Sequence, residues 1–252
     1  RVGVSQQLVA RALAEVSGIA VAAIAHRLMG QWEPTAQFYA ELLHPETEDA
    51  DRSRPYPFFL AYALEGDPAE QLGELAQWQV EWKWDGIRAQ LIRRGRDIFL
   101  WSRGEELVTD RYPEVIAAAA NLPDGVVLDG ELLPWRGDMV LPFAELQRRI
   151  GRKTLSKKLL ADVPVILLCY DVLEVNGQDW RDQPLAVRRC QLEKIIGAVN
   201  DDTLRLSEVV QAASWTALIE RRAESRDRMV EGFMLKRLAS PYRVGRQRGD
   251  WW

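Results

Sequence analysis

Cysteine and histidine are almost missing from this sequence: each occurs twice among 252 residues. Cys169 sits in an apolar run and Cys190 in a stretch of helical pattern, too far apart for the spacing of metal ligands. Both read as reduced structural thiols, the usual state in a cytosolic protein. His26 and His44 stand alone near the ends of expected helices, which fits structural roles rather than a ligand set. Long apolar runs are missing too. The stretch 163–169 falls far short of the roughly 20 residues that span a bilayer, and no charged-then-apolar leader pattern opens the chain. An excess of positive charge is also lacking, since 33 Lys plus Arg face 37 Asp plus Glu for a net charge of −4. Nothing therefore draws the whole molecule toward a polyanion, and any such surface has to be a local basic patch.

What is present is a large apolar fraction, 47%, enough for one large core or two modest ones. Residues 1–50 read as a small helical piece. Ser5 ahead of 6–16 and Gly18 behind it supply start and stop signals, 21–29 with Gly30 repeats the arrangement, and 35–43 makes a third helix. Residues 49–57 are polar, and Pro55 and Pro57 exclude a helix, which places a linker at 51–57.

From residue 58 to 252 short β-type runs alternate with turn signals, the pattern of an α+β domain built on antiparallel sheets. Strands are expected at 77–84, 88–93, 98–102, 125–133, 163–175, 204–208 and 232–237, and helices at 68–76, 112–120, 184–196 and 212–226. Arg94-Gly95 and Asn176-Gly177 read as hairpin turns, the second with a type I′ signature. The chain opens on Arg1 and closes on Arg248-Gly249-Asp250-Trp251-Trp252, inside an aromatic pattern, so the expectation is a fragment of something longer.

The most informative stretch is Glu81-Trp82-Lys83-Trp84-Asp85-Gly86-Ile87-Arg88. On a strand, Val80, Trp82 and Trp84 share one face while Glu81, Lys83 and Asp85 share the other. An ammonium then stands between two carboxylates, followed by a glycine that can turn the chain. Alternating charges alone describe an ordinary salt-bridged strand face; the string of residue types is what narrows the reading.

Lys83-x-Asp85-Gly86-x-Arg88 resembles the nucleophile motif shared by ATP-dependent DNA ligases, RNA ligases and mRNA capping enzymes. Ser102-Arg103-Gly104, Asp129-Gly130-Glu131, Tyr170-Asp171 and 231–236 (Glu-Gly-Phe-Met-Leu-Lys) resemble the remaining motifs, in order. Each is weak alone, as a lone Asp-Gly-Glu is commonly a turn. In sequence they make the stretch from about residue 57 onward similar to the ATP-dependent DNA ligase family. The resemblance implies an antiparallel-sheet nucleotidyltransferase domain, an ATP-grasp-like adenylation fold, preceded by the end of a helical DNA-binding domain.

The resemblance also implies roles. Lys83 becomes covalently linked to AMP taken from ATP. Its amine attacks phosphorus only when neutral, so a pKa ordinarily about 10.4 has to fall. Glu231, with Asp85, is the carboxylate offered to Mg²⁺, which prefers oxygen ligands. Glu81 lies by the adenine, Tyr170 stacks on it where the family usually has Phe, and Glu131 holds a ribose hydroxyl. Arg88 reaches the ribose or the 5′-phosphate of a nick, and Arg103 the nick phosphate, tasks suited to a planar guanidinium. Lys236 and Arg248 are further phosphate contacts. Family members continue into a two-lysine motif and an oligonucleotide-binding barrel; the sequence stops short of both, so the barrel is expected to be absent. The implied partner is nicked duplex DNA, bound by a monomer in the bacterial cytosol or nucleoid, with no membrane. Replication, recombination and repair all fit, and repair is the family-level expectation. An RNA ligase or capping nucleotidyltransferase shares the nucleophile motif, and a non-catalytic nick-binding module is the alternative from another class.

Overall fold

The structure is a computed structural model, and it describes residues 6–19, 24, 27–28, 32–44, 53–104, 106–150, 152 and 155–252. Ser5 and most of the expected helix at 21–29 lie outside the described residues. Helix α1 (Gln6–Ser17) ends where Gly18, at φ +71°, lets the chain turn left-handed and its N–H bonds back to Ala14 O at 2.9 Å. Helix α2 (Ala36–Leu42) starts on Thr35, whose hydroxyl accepts from Phe38 N at 3.0 Å. Ala10, Ala14, Ile24, Leu28 and Leu42 form a small core of their own.

Residues 53–57, the last five of the seven residues of the expected linker, lie against the larger domain. Tyr56 exchanges two backbone hydrogen bonds with the Gln90 amide, at 2.7 and 2.8 Å, and its hydroxyl donates to Glu174 at 2.8 Å. Prolines on either side hold the backbone extended, which exposes the Tyr56 peptide groups to that clamp.

The remaining elements are β1 (Phe59–Leu60), α3 (Pro68–Leu72), β2 (Trp78–Trp84), β3 (Ile87–Arg94), β4 (Asp97–Ser102), α4 (Pro113–Ala119), β5 (Val126–Arg136), β6 (Met139–Val140), α5 (Phe143–Ile150), α6 (Lys157–Asp162), β7 (Val165–Val175), β8 (Gln178–Asp179), α7 (Leu185–Val199), β9 (Leu204–Leu206), α8 (Trp215–Arg221), β10 (Val230–Arg237) and β11 (Gly245–Arg246). The large sheet runs β4-β3-β5-β7-β8, with β6 added to β5 and β9 to β7; β2 pairs with β10, and β1 with β11. The α+β, antiparallel expectation holds for the long strands. Two short pairings, β1 with β11 and β7 with β9, are parallel.

Strand alternation sorts the core. Leu91, Leu128, Leu167 and Cys169 face α4, α5 and α7 in one buried cluster, whereas Ile92, Val127 and Leu173 face Phe59, Tyr242 and Trp251 on the other side of the sheet. Trp78, Val80 and Trp82 bury the back of β2 with Leu218 of α8 and Leu235 of β10. Period-2 alternation therefore buries the tryptophans and leaves Glu81 and Lys83 on the opposite face. The Asn176-Gly177 turn has positive φ at both residues, +53° and +74°, as a type I′ hairpin needs. The other hairpin turns one residue later than expected, at 95–96, because Arg94 still pairs with Asp97.

Helices α5 and α6 have no counterpart in the sequence reading. Helix α5 looks polar because one of its inward residues is Arg149, which is fully buried and clasps Glu114 together with the carbonyl of Val163 at 2.9 Å. Among the described residues no helix is long and apolar enough to cross a membrane.

Candidate active site

Between the β2–β10 ribbon and strands β3, β5 and β7 of the large sheet lies a cavity of about 580 Å³, lined by Glu81, Lys83, Asp85, Arg88, Arg103, Glu131, Tyr170, Glu231 and Lys236, among others. The fold thus brings nine of the ten expected site residues to one cavity. The β2–β3 connection closes tightly. A Cβ at Gly86 would meet the Leu132 carbonyl and come within 2.9 Å of Glu131 Cγ, so only glycine lets the chain turn from β2 into β3 here.

Two β-bulges aim side chains into this space. On β10 the register passes from Val230 opposite Trp84 to Gly232 opposite Lys83, which leaves Glu231 as the extra residue beside Lys83; Gly232 takes φ +141°. On β7 the register passes from Asp171 opposite Asp129 to Cys169 opposite Gly130, which leaves Tyr170 as the extra residue. A bulge re-aims a side chain without breaking the sheet. Without the extra residues, alternation would hold both side chains to the regular pleat.

The deep side of the cavity is built from closed ion pairs. Lys236 and Glu81, each 1% exposed, meet at 2.7 Å, and Gln79 donates to the same Glu81 oxygen at 2.7 Å. The Lys236 ammonium also lies 4.2 Å from the Tyr170 ring centre and 4.8 Å from that of Trp251. Arg88 stands opposite Glu131 in the β3–β5 register, yet its guanidinium turns to Asp129, with contacts of 2.7 and 3.2 Å. It also donates to Phe59 O at 2.6 Å and to the Tyr242 hydroxyl at 3.1 Å. Asp129 accepts from Tyr242 at 2.7 Å and from Tyr170 at 3.3 Å. Asp171 turns away from the cavity and pairs with Arg188 of α7 at 2.8 Å, both fully buried.

The mouth is different in kind. Lys83 pairs with Glu231, and both side chains are close to half exposed, at 43% and 49%. Burial lowers the Lys83 pKa below the usual lysine range; Glu131 and Asp85 oppose that shift and Arg103 adds to it. Burial also pushes the Glu131 carboxyl up to about 8, against the pull of Arg88. Asp85 and Arg103 are exposed at the rim. The one expected residue outside the lining is Arg248, whose guanidinium lies over the Tyr62 ring at 5.3 Å. Arg246, two residues earlier, does line the cavity.

The sequence reading missed Asp129 as an individual actor, along with Tyr242, Trp251 and Arg246. Asp129 was visible as the first residue of Asp-Gly-Glu. Tyr242 and Trp251 reach the site only through the strap after β10, a tertiary contact that no local pattern announces. For a divalent cation, no preformed cluster of three acidic or cysteine and histidine ligands occurs among the described residues. Glu231 and Asp85 nonetheless suit Mg²⁺, which is commonly held by one or two carboxylates completed by water and substrate phosphate.

The family model described as ATP dependent DNA ligase domain matches residues 59–252. A "Probable DNA ligase" from Koribacter versatilis is 32% identical over an alignment covering 100% of this chain and 47% of the relative. A "DNA ligase" from Haloferax volcanii is 35% identical over 79% of this chain and 34% of its own length. Among solved structures, mycobacterial DNA ligase D complexed with ATP and MES superposes with a TM-score of 0.60 at 30% identity, covering 77% of this chain and 58% of that one. The chain therefore spans about half the length, or less, of these curated relatives.

Proposed function

This chain belongs to the ATP-dependent DNA ligase domain family, and from that premise we propose that its cavity forms a covalent Lys83–AMP adduct that serves the sealing of nicks in duplex DNA. The observation that carries the reading is Lys83 itself. It is a partly exposed lysine with a lowered pKa, at the mouth of a cavity that also holds Glu131, Tyr170 and Glu231. A lowered pKa raises the neutral, nucleophilic fraction of the amine at neutral pH.

In the first transfer the Lys83 Nζ lone pair attacks the α-phosphorus of ATP. The P–N bond forms, the bond to the bridging oxygen breaks, pyrophosphate leaves with that electron pair, and the nitrogen sheds its proton. A 5′-phosphate oxygen at the nick then attacks the same phosphorus and the P–N bond breaks, which regenerates the amine. Finally the 3′-hydroxyl oxygen attacks the 5′-phosphorus; the phosphodiester bond forms, the bond to the bridging oxygen of AMP breaks, AMP leaves with that electron pair, and the hydroxyl sheds its proton. All three are in-line displacements in which position and charge neutralisation dominate.

The protein's share follows from the site. Tyr170 offers the base an aromatic face next to the Glu81–Lys236 pair. Glu131, protonated up to about pH 8, can both donate to and accept from a ribose hydroxyl. Arg103 is available for the nick phosphate. Arg88, whose donors mostly go to Asp129, Phe59 and Tyr242, chiefly fixes the wall that carries Glu131. A Mg²⁺ held by Glu231, with Asp85, would neutralise phosphate charge.

The test is acid-stable labelling of the chain by α-labelled ATP, in parallel with Lys83→Ala. Label on the wild type alone supports the reading, whereas equal label on both, or transfer from GTP instead, rejects it. Sealing of a nicked duplex, measured on a longer form of the protein, tests the later steps.

A further inference from the structure

Glu81 lines the cavity with a carboxylate that is 1% exposed, and its two oxygens are not used alike. Oε1 accepts from Gln79 Nε2 and from Lys236 Nζ, each at 2.7 Å. Oε2 has no hydrogen-bond donor among the described residues. Buried polar atoms are ordinarily paired, so Oε2 is the acceptor left for a ligand. We infer that Gln79 is a positioning residue for base selection: by sharing Oε1 with Lys236 it holds Oε2 ready for the exocyclic amine of a 6-aminopurine.

The strand geometry supplies the clamp. Gln79 and Glu81 lie on one face of β2, two residues apart, and Gln79 stands directly opposite Lys236 in the β2–β10 register. The carboxylate is thus gripped from its own strand and from the neighbouring one. Lys236 alone would fix it poorly, because an ammonium is a point charge with rotatable donors that can serve either oxygen. The planar amide of Gln79 has a fixed direction and settles which oxygen is taken. Gln79 is 4% exposed and outside the cavity lining, so it acts through Glu81. The Lys236 ammonium lies 4.2 Å from the centre of the Tyr170 ring, which sets the clamped carboxylate beside the ring proposed to carry the base. A carboxylate oxygen accepts from a 6-amino group and repels a 6-oxo group, whose lone pairs would face its own. The inference rests on the adenylation reading.

The test pairs a change in the protein with a change in the nucleotide. Initial rates of acid-stable labelling are measured with α-labelled ATP and with α-labelled purine riboside triphosphate, which differs only in lacking the 6-amine, for wild type and Gln79→Leu. Loss of one charge-assisted contact costs roughly tenfold or more, so wild type should prefer ATP by that factor in kcat/KM. In Gln79→Leu the preference should collapse toward equality, chiefly through slower reaction of ATP, and inosine triphosphate should gain on ATP. If the leucine variant fails to fold, Gln79→Asn, whose amide is one methylene short, should show the same trend in smaller measure. A variant that slows with both nucleotides equally keeps its preference and makes Gln79 a purely structural partner, which overturns the inference. Equal labelling of wild type by both nucleotides also overturns it, yet leaves Lys83 as the nucleophile. A wild type labelled by neither rejects this inference and the adenylation reading together.

Discussion

The two sides of one cavity use the same residue types in opposite ways. On the deep side, Glu81–Lys236 and Asp129–Arg88 are closed pairs, with Tyr170, Tyr242 and Gln79 satisfying further donors and acceptors. At the mouth, Lys83 and Glu231 meet while close to half exposed, and Asp85 and Arg103 stand at the surface. A buried charge without its partner is costly, so the deep pairs are fixed parts of the fold. An exposed pair contributes little and can be exchanged for a ligand at small cost. Burial therefore separates the charges that build the site from those free to act in it.

The sharpest test of the deep side is Lys236→Met, which leaves the Glu81 carboxylate buried without its ammonium. The expected loss is about 3–5 kcal/mol of unfolding free energy, read from denaturant titration. Adding Glu81→Leu should recover much of it, because the cost lies in the orphaned charge rather than the lost attraction. A double variant as unstable as the sum of the single ones would show that the pair is not coupled in the way described.

Gly86 joins the two sides, so Gly86→Ala is expected to act on both. Its Cβ would press on the Leu132 carbonyl and, at 2.8 and 2.9 Å, on Leu133 Cδ2 and Glu131 Cγ. Backbone cannot yield as a side chain tip can, and overpacking of this kind costs about 1–3 kcal/mol. Because the displaced atoms include Glu131, labelling of Lys83 should fall as well. A variant with normal stability and normal labelling would mean that the turn tolerates a side chain and that the close approach is incidental.

The mouth was far more legible in the sequence than the deep side, and the reason is local. Lys83, Asp85 and Gly86 sit within one motif, and strand alternation correctly separated Glu81 and Lys83 from Val80 and Trp82. Glu231 and Tyr170 were found by resemblance alone, since a bulge breaks the alternation that would have predicted their direction. Arg149 hid α5, because a helix that buries an arginine looks solvent-facing by pattern. The partners of Arg88 could not be read either: Asp129 is 41 residues away and Tyr242 is 154, and the Asp129 contact is diagonal to the strand register. Arg248 was named from the sequence and Arg246 was not, because nothing in a string of alternating basic residues says which of them lines the cavity.

Glu131 stands between the two sides and gives the comparison a pH axis. Its carboxyl is raised from 4.5 to about 8 in the folded chain, so between those values the unfolded chain releases a proton that the folded chain keeps. Stability therefore falls as pH rises through that window, and the loss is complete above about pH 8. Glu131→Gln removes the titration, so its stability relative to wild type should climb between about pH 5 and about pH 9, measured as denaturant midpoints at each end. Parallel pH curves for the two proteins would place the Glu131 carboxyl in water, with the deep side ending short of it.

The smallest effect on stability should come from Glu231→Gln, and its smallness is the point. Lys83 and Glu231 are 43% and 49% exposed, so water reaches both charges, and removing one is expected to change unfolding by no more than about 0.5 kcal/mol. Labelling of Lys83 by ATP in Mg²⁺ should nevertheless fall at least roughly tenfold, as expected when an interaction needed in the transition state is lost. The bulge at Gly232 that presents Glu231 is retained in the variant, so the change is confined to charge. A melting point lowered as far as in Lys236→Met would make this pair part of the fold's framework and erase the distinction between mouth and deep side. A stable variant that labels normally would leave the distinction intact but take Glu231 out of the chemistry.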